Sequence, residues 1–130
     1  MKRALGIAAL LLLFAAPALA GEGLMCDGPD GLHADVPLGG GPGLSILSAD
    51  IHVKGKHWTT KADVAGAAQI VPWSAAGIDE RMYLDFADAS GDSILIRIRL
   101  FRTGIEDTGA IGGFIDIARE RAWAISCGFG

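Results

Sequence analysis

The sequence predicts an all-β protein, a small antiparallel β-barrel or two-sheet sandwich of seven to eight strands closed by one terminal disulfide. Three observations predict it. Apolar and polar residues alternate with period two in several runs of strand length, which puts one face of each run in a core and the other in water. Glycine, 19 of 130 residues, falls largely between those runs, where turns need it. The two cysteines, Cys26 and Cys127, stand near opposite ends of the chain that follows an N-terminal leader.

The leader comprises residues 1–20. Lys2 and Arg3 form a charged start, Leu5 to Ala16 an apolar run too short to span a membrane, and Ala18-Leu19-Ala20 a small-residue cleavage site. Cleavage leaves residues 21–130 as a single β domain beginning at Gly21, in an oxidising compartment where Cys26 and Cys127 pair. The leader is of bacterial type, so the expected location is the periplasm or the exterior. A bridge closing a loop of this size stabilises a fold by roughly 4–5 kcal/mol in the chain-entropy treatment.

The elements follow in chain order. A first strand is expected at Leu32–Leu38, with the Gly39–Gly43 stretch, Pro42 included, as the loop behind it. From Leu47 to Lys54 the alternation is strict, with Leu47, Ala49, Ile51 and Val53 on the apolar face. Trp58, Thr60, Ala62 and Val64 continue that face on the next run. A two-residue turn, Lys54-Gly55 or Gly55-Lys56, keeps both apolar faces together, whereas a three-residue turn flips one of them. Ala65–Glu80 is the least regular segment. Gln69-Ile70-Val71 reads there as a short edge strand that Pro72-Trp73 breaks.

The hairpin from Met82 to Leu100 is the strongest local signal. Met82, Leu84 and Phe86 face inward on one strand and Ile94, Ile96, Ile98 and Leu100 on the other. An Ala89-Ser90-Gly91 loop sets Phe86 opposite Ile94 and Leu84 opposite Ile96. In the last hairpin, Ala110–Ala118 with Ala122–Cys127, an Arg119-Glu120-Arg121 loop pairs Ile117 with Trp123 and Ile115 with Ile125. No amphipathic helix of useful length is present.

Charge excludes one class of partner. Lys2 and Arg3 leave with the leader, so 9 basic side chains face 15 acidic ones, a formal charge of −6. Phosphate backbones call for excess positive charge, so nucleic acid is not the expected partner. No further apolar run approaches the length of a spanning helix, and the domain is expected to be soluble and not membrane-spanning after cleavage. No motif for a cofactor is present, and no glycine-framed serine or spare cysteine marks a nucleophile, so no catalytic residue is assigned.

Three constellations remain. Leu95, Arg97, Arg99 and Phe101 point outward beside Tyr83, with Arg102 just beyond, and arginine interleaved with aromatics is the composition of protein interface anchors. The competing account is a solvated sheet face in which Asp85 neutralises Arg97. Trp73 lies on an irregular loop, as a plug for one end of the core or as an exposed contact, plugging being favoured in a domain this small. His52 and His57 oppose one another across the Lys54-Gly55 turn at about 5 Å between Cβ atoms, with Asp50 two residues away. That set has metal-ligand chemistry, but Lys54 and Lys56 flank it and His33 has no assigned place beside it.

The leading expectation is an exported, non-enzymatic binding or accessory protein whose partner is a protein or another envelope component, met through Tyr83, Arg97, Arg99, Phe101 or the Trp73 loop. The alternatives are a small metal-binding protein using His52 and His57, an enzyme whose residues converge from separate loops, and a periplasmic inhibitor of a hydrolase. The last shares the general plan of a small exported β domain with one bridge, though no inhibitory loop motif is present.

Overall fold

The computed structural model describes residues 23–40, 43–103 and 110–130, and every regular element among them is a strand. The leader, the expected start at Gly21 and Pro42 of the first loop lie outside the described residues. The strands are β1 (Gly23–Asp27), β2 (His33–Gly39), β3 (Ser45–Ile46), β4 (Asp50–Val53), β5 (Lys56–Thr59), β6 (Ala67–Ile78), β7 (Arg81–Asp88), β8 (Ile94–Thr103), β9 (Ala110–Ile117) and β10 (Arg121–Phe129). They form one sheet in the order β1-β10-β9-β8-β7-β6-β5-β4-β2-β3, and β1 pairs with β2 as well. That extra pairing closes nine strands into a barrel, with β3 continuing the edge of β2 beyond β4.

An odd number of strands cannot close with every neighbour antiparallel, and the one parallel pair is β5 with β6. Parallel neighbours usually need a crossover of a dozen residues or more. Here β5 is only four residues long, so the 60–66 segment suffices to carry the chain back to the start of β6. The local sequence pattern does not signal this pair, nor β1, which precedes the expected first strand and carries Cys26.

Cys26 and Cys127 are direct cross-strand partners in β1 and β10 and are joined by a disulfide, with Cα atoms 4.1 Å apart. Gly23 and Gly130 exchange both of their backbone hydrogen bonds. Three steps along an antiparallel ladder, Cys26 and Cys127 therefore occupy a non-hydrogen-bonded pair, where side chains approach most closely. The bridge joins the first described strand to the last, as closure requires.

The interior is filled by the inward face of each strand, including Leu24, Val36, Ile51, Trp58, Ile70, Leu84, Phe86, Ile96, Ile98, Leu100, Ile115 and Trp123, all buried. The faces assigned to Leu84, Phe86, Ile96, Ile98 and Leu100 hold. The Lys54-Gly55 turn also holds, with Val53 opposite Lys56 and both turn residues at positive φ (51° and 73°), as a two-residue hairpin turn requires.

Several details differ from the pattern in the sequence. Leu47 is 61% exposed, because β4 begins only at Asp50 and the chain before it leans on β2 through the Leu47 N–H to the Pro37 carbonyl. The run after Trp58 leaves the sheet at Thr59, so Thr60, Ala62 and Val64 lie in the crossover. Phe86 faces Ile96, and Leu84 faces Ile98, two residues from the expected register: the loop is Ala89-Ser90-Gly91-Asp92, one residue longer than expected, with the Asp88 N–H donating to the Ser93 carbonyl, and Leu95 is bulged between Ile94 and Ile96. The bulge turns Leu95 from the outer face into partial contact with the core. In the last hairpin the loop is Ala118-Arg119-Glu120, one residue earlier than expected. Arg119 takes the left-handed φ (67°), and Ile117 meets Arg121 while Ile115 meets Trp123.

The largest correction concerns β6. It is a twelve-residue strand between β5 and β7 rather than a short edge strand. Pro72 does not break it. Trp73 forms a bulge between Pro72 and Ser74, and beyond Gln69 the opposite edge of β6 has no partner in β5, so an absent N–H is tolerated there.

Candidate functional site

On the outer surface of β6 to β9, cross-strand registers place side chains in rows. One row runs Ser74, Asp85, Arg97, Asp116; the next Ala76, Tyr83, Arg99, Phe114; the third Ile78, Arg81, Phe101, Gly112. The four expected interface residues Tyr83, Arg97, Arg99 and Phe101 therefore lie side by side. Ile78, Arg81 and Phe114 join them. Phe114 was legible from the parity of β9, with Ile115 and Ile117 inward. Arg81 was likewise legible from the parity of β7, two residues before Tyr83, whereas Ile78 was not, because the 65–80 segment shows no regular alternation.

The arginines divide by what they touch. Arg99 lies over the Tyr83 ring, 5.1 Å from its centroid, and donates from Nη1 to Asp85 Oδ1 at 2.7 Å and to the Ile98 carbonyl at 3.0 Å. The carboxylate expected to neutralise Arg97 thus serves Arg99, because a long side chain spans the cross-strand diagonal once the tyrosine ring directs it. Asp85 also accepts the Ser74 hydroxyl at 3.1 Å. Arg81 lies over the Phe101 ring at 5.7 Å. Arg97 is exposed and has no ion-pair partner within 4.0 Å among the described residues. Phe101 is 45% exposed, Phe114 41% and Ile78 58%. Arg102 stands at the barrel rim, beside Ile78, Arg81, Tyr83, Phe101 and Thr103, around an open groove of about 600 Å³.

Trp73 is 58% exposed, so the plugging role expected of it is not the observed one. Its bulge sets it outside the ladder, above a small groove of about 230 Å³ lined by Leu44, Ile46, Pro72 and Ala75. It stands at the loop end of the same outer face, one residue from the Ser74 row.

The histidines form a second constellation on the opposite side of the barrel. His33 pairs with His52, and His52 with His57, so all three lie in one row across β2, β4 and β5. The His52 and His57 rings stack at 3.9 Å between centroids with 14° between their planes. His57 Nε2 is 3.0 Å from Asp50 Oδ1, and ligand atoms of Asp50, His52 and His57 all lie within 4.8 Å of one another. Burial pushes the Asp50 carboxyl upward, but hydrogen bonds from His57 and Thr59 and the Lys61 charge outweigh it and hold its pKa below the ordinary carboxylate value. His33 contacts Asp27 at 2.8 Å and Asp35 at 3.3 Å. The bond to Asp27, opposed by desolvation and aided by Asp35, raises its pKa above the ordinary histidine value.

Comparison with protein-family models, curated proteins and solved structures finds no match to this chain. No helix among the described residues is long and apolar enough to cross a membrane.

Proposed function

We propose that this protein is an exported, non-catalytic binding barrel that docks a protein partner through the outer face of β7, β8 and β9. One observation carries the reading: Phe101, Phe114 and Ile78 stay substantially exposed on the same outer face as Arg97, whose guanidinium has no ion-pair partner within 4.0 Å among the described residues. Isolated exposed apolar residues are ordinary, but aromatics and arginine adjoining one another across three strands are the composition of interface centres. Arg99 and Tyr83 are held in place by Asp85 and by each other, so they present a fixed shape and lose little side-chain entropy on binding. The complementary partner presents apolar side chains for Phe101 and Phe114 and a carboxylate for Arg97. Export to the periplasm or exterior belongs to the same proposal and is supported by the leader and by the disulfide.

The test replaces Phe114 with a photo-crosslinking amino acid and irradiates cells expressing the protein. The expected result is one crosslinked partner whose yield collapses in an Arg97→Ala, Phe101→Ala double variant of unchanged melting temperature. Equal crosslinking in parent and double variant overturns the assignment of this face.

A further inference from the structure

The histidine row lies on the far side of the barrel from the proposed docking face. From β8, it takes four steps to reach β2 through β9, β10 and β1, and four to reach β4 through β7, β6 and β5. It is thus a separate feature. Two objections to a metal site arise from the sequence alone, and the tertiary structure removes both. Lys56 turns away to pair with Glu120, and Lys54 lies nearest Asp30, at 3.9 Å. His33, which has no place in the sequence pattern, is the direct neighbour of His52. Around the histidine row stand Asp27, Asp35 and Asp50, and Lys61 lies 3.7 Å from Asp50 Oδ2.

We infer that Asp50, His52 and His57 form a surface site for a late first-row divalent metal ion, of the Zn²⁺, Ni²⁺ and Cu²⁺ class. Two imidazoles and a carboxylate are borderline ligands suited to those ions rather than to Ca²⁺ or Mg²⁺, which favour oxygen alone. Bonds of about 2.0–2.2 Å in tetrahedral geometry place ligand atoms about 3.3 Å apart. His57 Nε2 and Asp50 Oδ1, at 3.0 Å, need to part by only a few tenths of an ångström to reach it. The exposed His52 ring closes the remaining distance by rotating about its side-chain torsions.

The metal replaces the proton between His57 and Asp50. Coordination through Nε2 uses the tautomer of His57 whose proton is on Nδ1, so the proton displaced from Nε2 is taken up there. Three protein ligands leave a fourth position for water or for a group from another molecule, which makes the site exchangeable rather than structural. His33 is a neighbour held by Asp27 and Asp35, with both ring nitrogens engaged, and not one of the three ligands.

The test titrates the purified disulfide-bonded protein with Zn²⁺ at pH 7.5 by calorimetry and follows the histidine side-chain resonances by NMR. One ion per chain is expected, with shifts concentrated in His52 and His57. His57→Ala and His52→Ala each lower affinity by at least about tenfold, and His33→Ala by much less. Should an alanine variant melt early, His52→Gln and His57→Gln keep the cross-strand packing while weakening coordination. Absence of one-to-one binding by both Zn²⁺ and Cu²⁺ overturns the inference, as does equal affinity in folded His52 and His57 variants. Shifts confined to His33 and its two aspartates overturn it as well.

Discussion

The indole Nε1–H of Trp123 donates to the carboxylate of Asp30 at 3.0 Å, a bond between residues 93 positions apart. Asp30 sits in the turn between β1 and β2 at a left-handed φ of 62°. Its carbonyl accepts the Lys54 N–H at 3.2 Å, and its carboxylate also draws Lys54 and Arg121 to within 4.0 Å. Three hairpins therefore meet at one aspartate, which ties their ends together at one rim of the barrel. Loss of this side chain leaves a nearly buried indole N–H without its partner. Asp30→Ala is expected to lower stability by about 1–3 kcal/mol. Urea denaturation followed by tryptophan fluorescence measures it; a midpoint equal to the parent's means that solvent satisfies the indole equally well.

Leu84→Ala and Ile96→Ala are each expected to cost roughly 2–5 kcal/mol, because both side chains are fully buried in the barrel and their removal leaves cavities among neighbours that cannot collapse. Arg97→Ala, one residue from Ile96 but on the outer face, is expected to change stability by less than about 0.5 kcal/mol. Three similar urea midpoints would contradict the inward and outward assignment of β7 and β8.

Gly113 lies opposite Leu100 in the β8–β9 ladder. A Cβ there would collide with the Arg99 carbonyl oxygen and come within 3.0 Å of Leu100 Cα. These are backbone atoms that no rotamer change moves, so Gly113→Ala must push β8 and β9 apart. A loss of about 3 kcal/mol is expected, at the upper end of overpacking costs. The neighbouring Gly112→Ala meets only ordinary van der Waals contact, with its nearest atom at 3.5 Å, and serves as the control. Thermal melts of the pair give the comparison, and equal losses would mean that the two strands separate there without cost.

Asp88 closes the loop between β7 and β8. Its carboxylate accepts the Asp92 N–H at 3.0 Å and the Ser90 hydroxyl at 2.9 Å, and these bonds, the first foremost, hold its pKa below the ordinary value of 3.8. The folded protein therefore holds this proton less tightly than the unfolded chain does. The contribution to stability is present in full above the unfolded value and disappears as pH falls through the folded one. An Asp88→Asn variant is expected to be less stable than the parent at pH 7, with the gap narrowing below about pH 4. Denaturation at pH 7, 4.5 and 2.5 follows the gap, and one that stays constant assigns no role to the charge.

Within each strand, local physics made the fold legible. Period-two alternation identified which side of Leu84, Ile96 and Ile98 is buried, since successive side chains must point to opposite faces. Lys54-Gly55 specified its own turn, because two positive φ values are tolerated there. The pairing of Cys26 with Cys127 was likewise readable, from the export expected of the leader and from there being only two thiols.

Register and neighbourhood lay beyond local reasoning. Bulges at Leu95 and Trp73 insert one residue each, and the free energy separating a bulged register from a regular one resides in contacts with the rest of the barrel. β6 holds its Pro72 because its partners end at Gln69 on one side, a fact about β5 rather than about the proline. The same holds for the candidate sites. Parity alone turned Arg97, Arg99 and Phe101 outward, but only strand adjacency gave Asp85 to Arg99 and set Phe114 beside them. His33 reached His52 because β2 pairs with β4 across the intervening loop and β3, and pairing between strands apart in sequence is decided by the burial of the whole core.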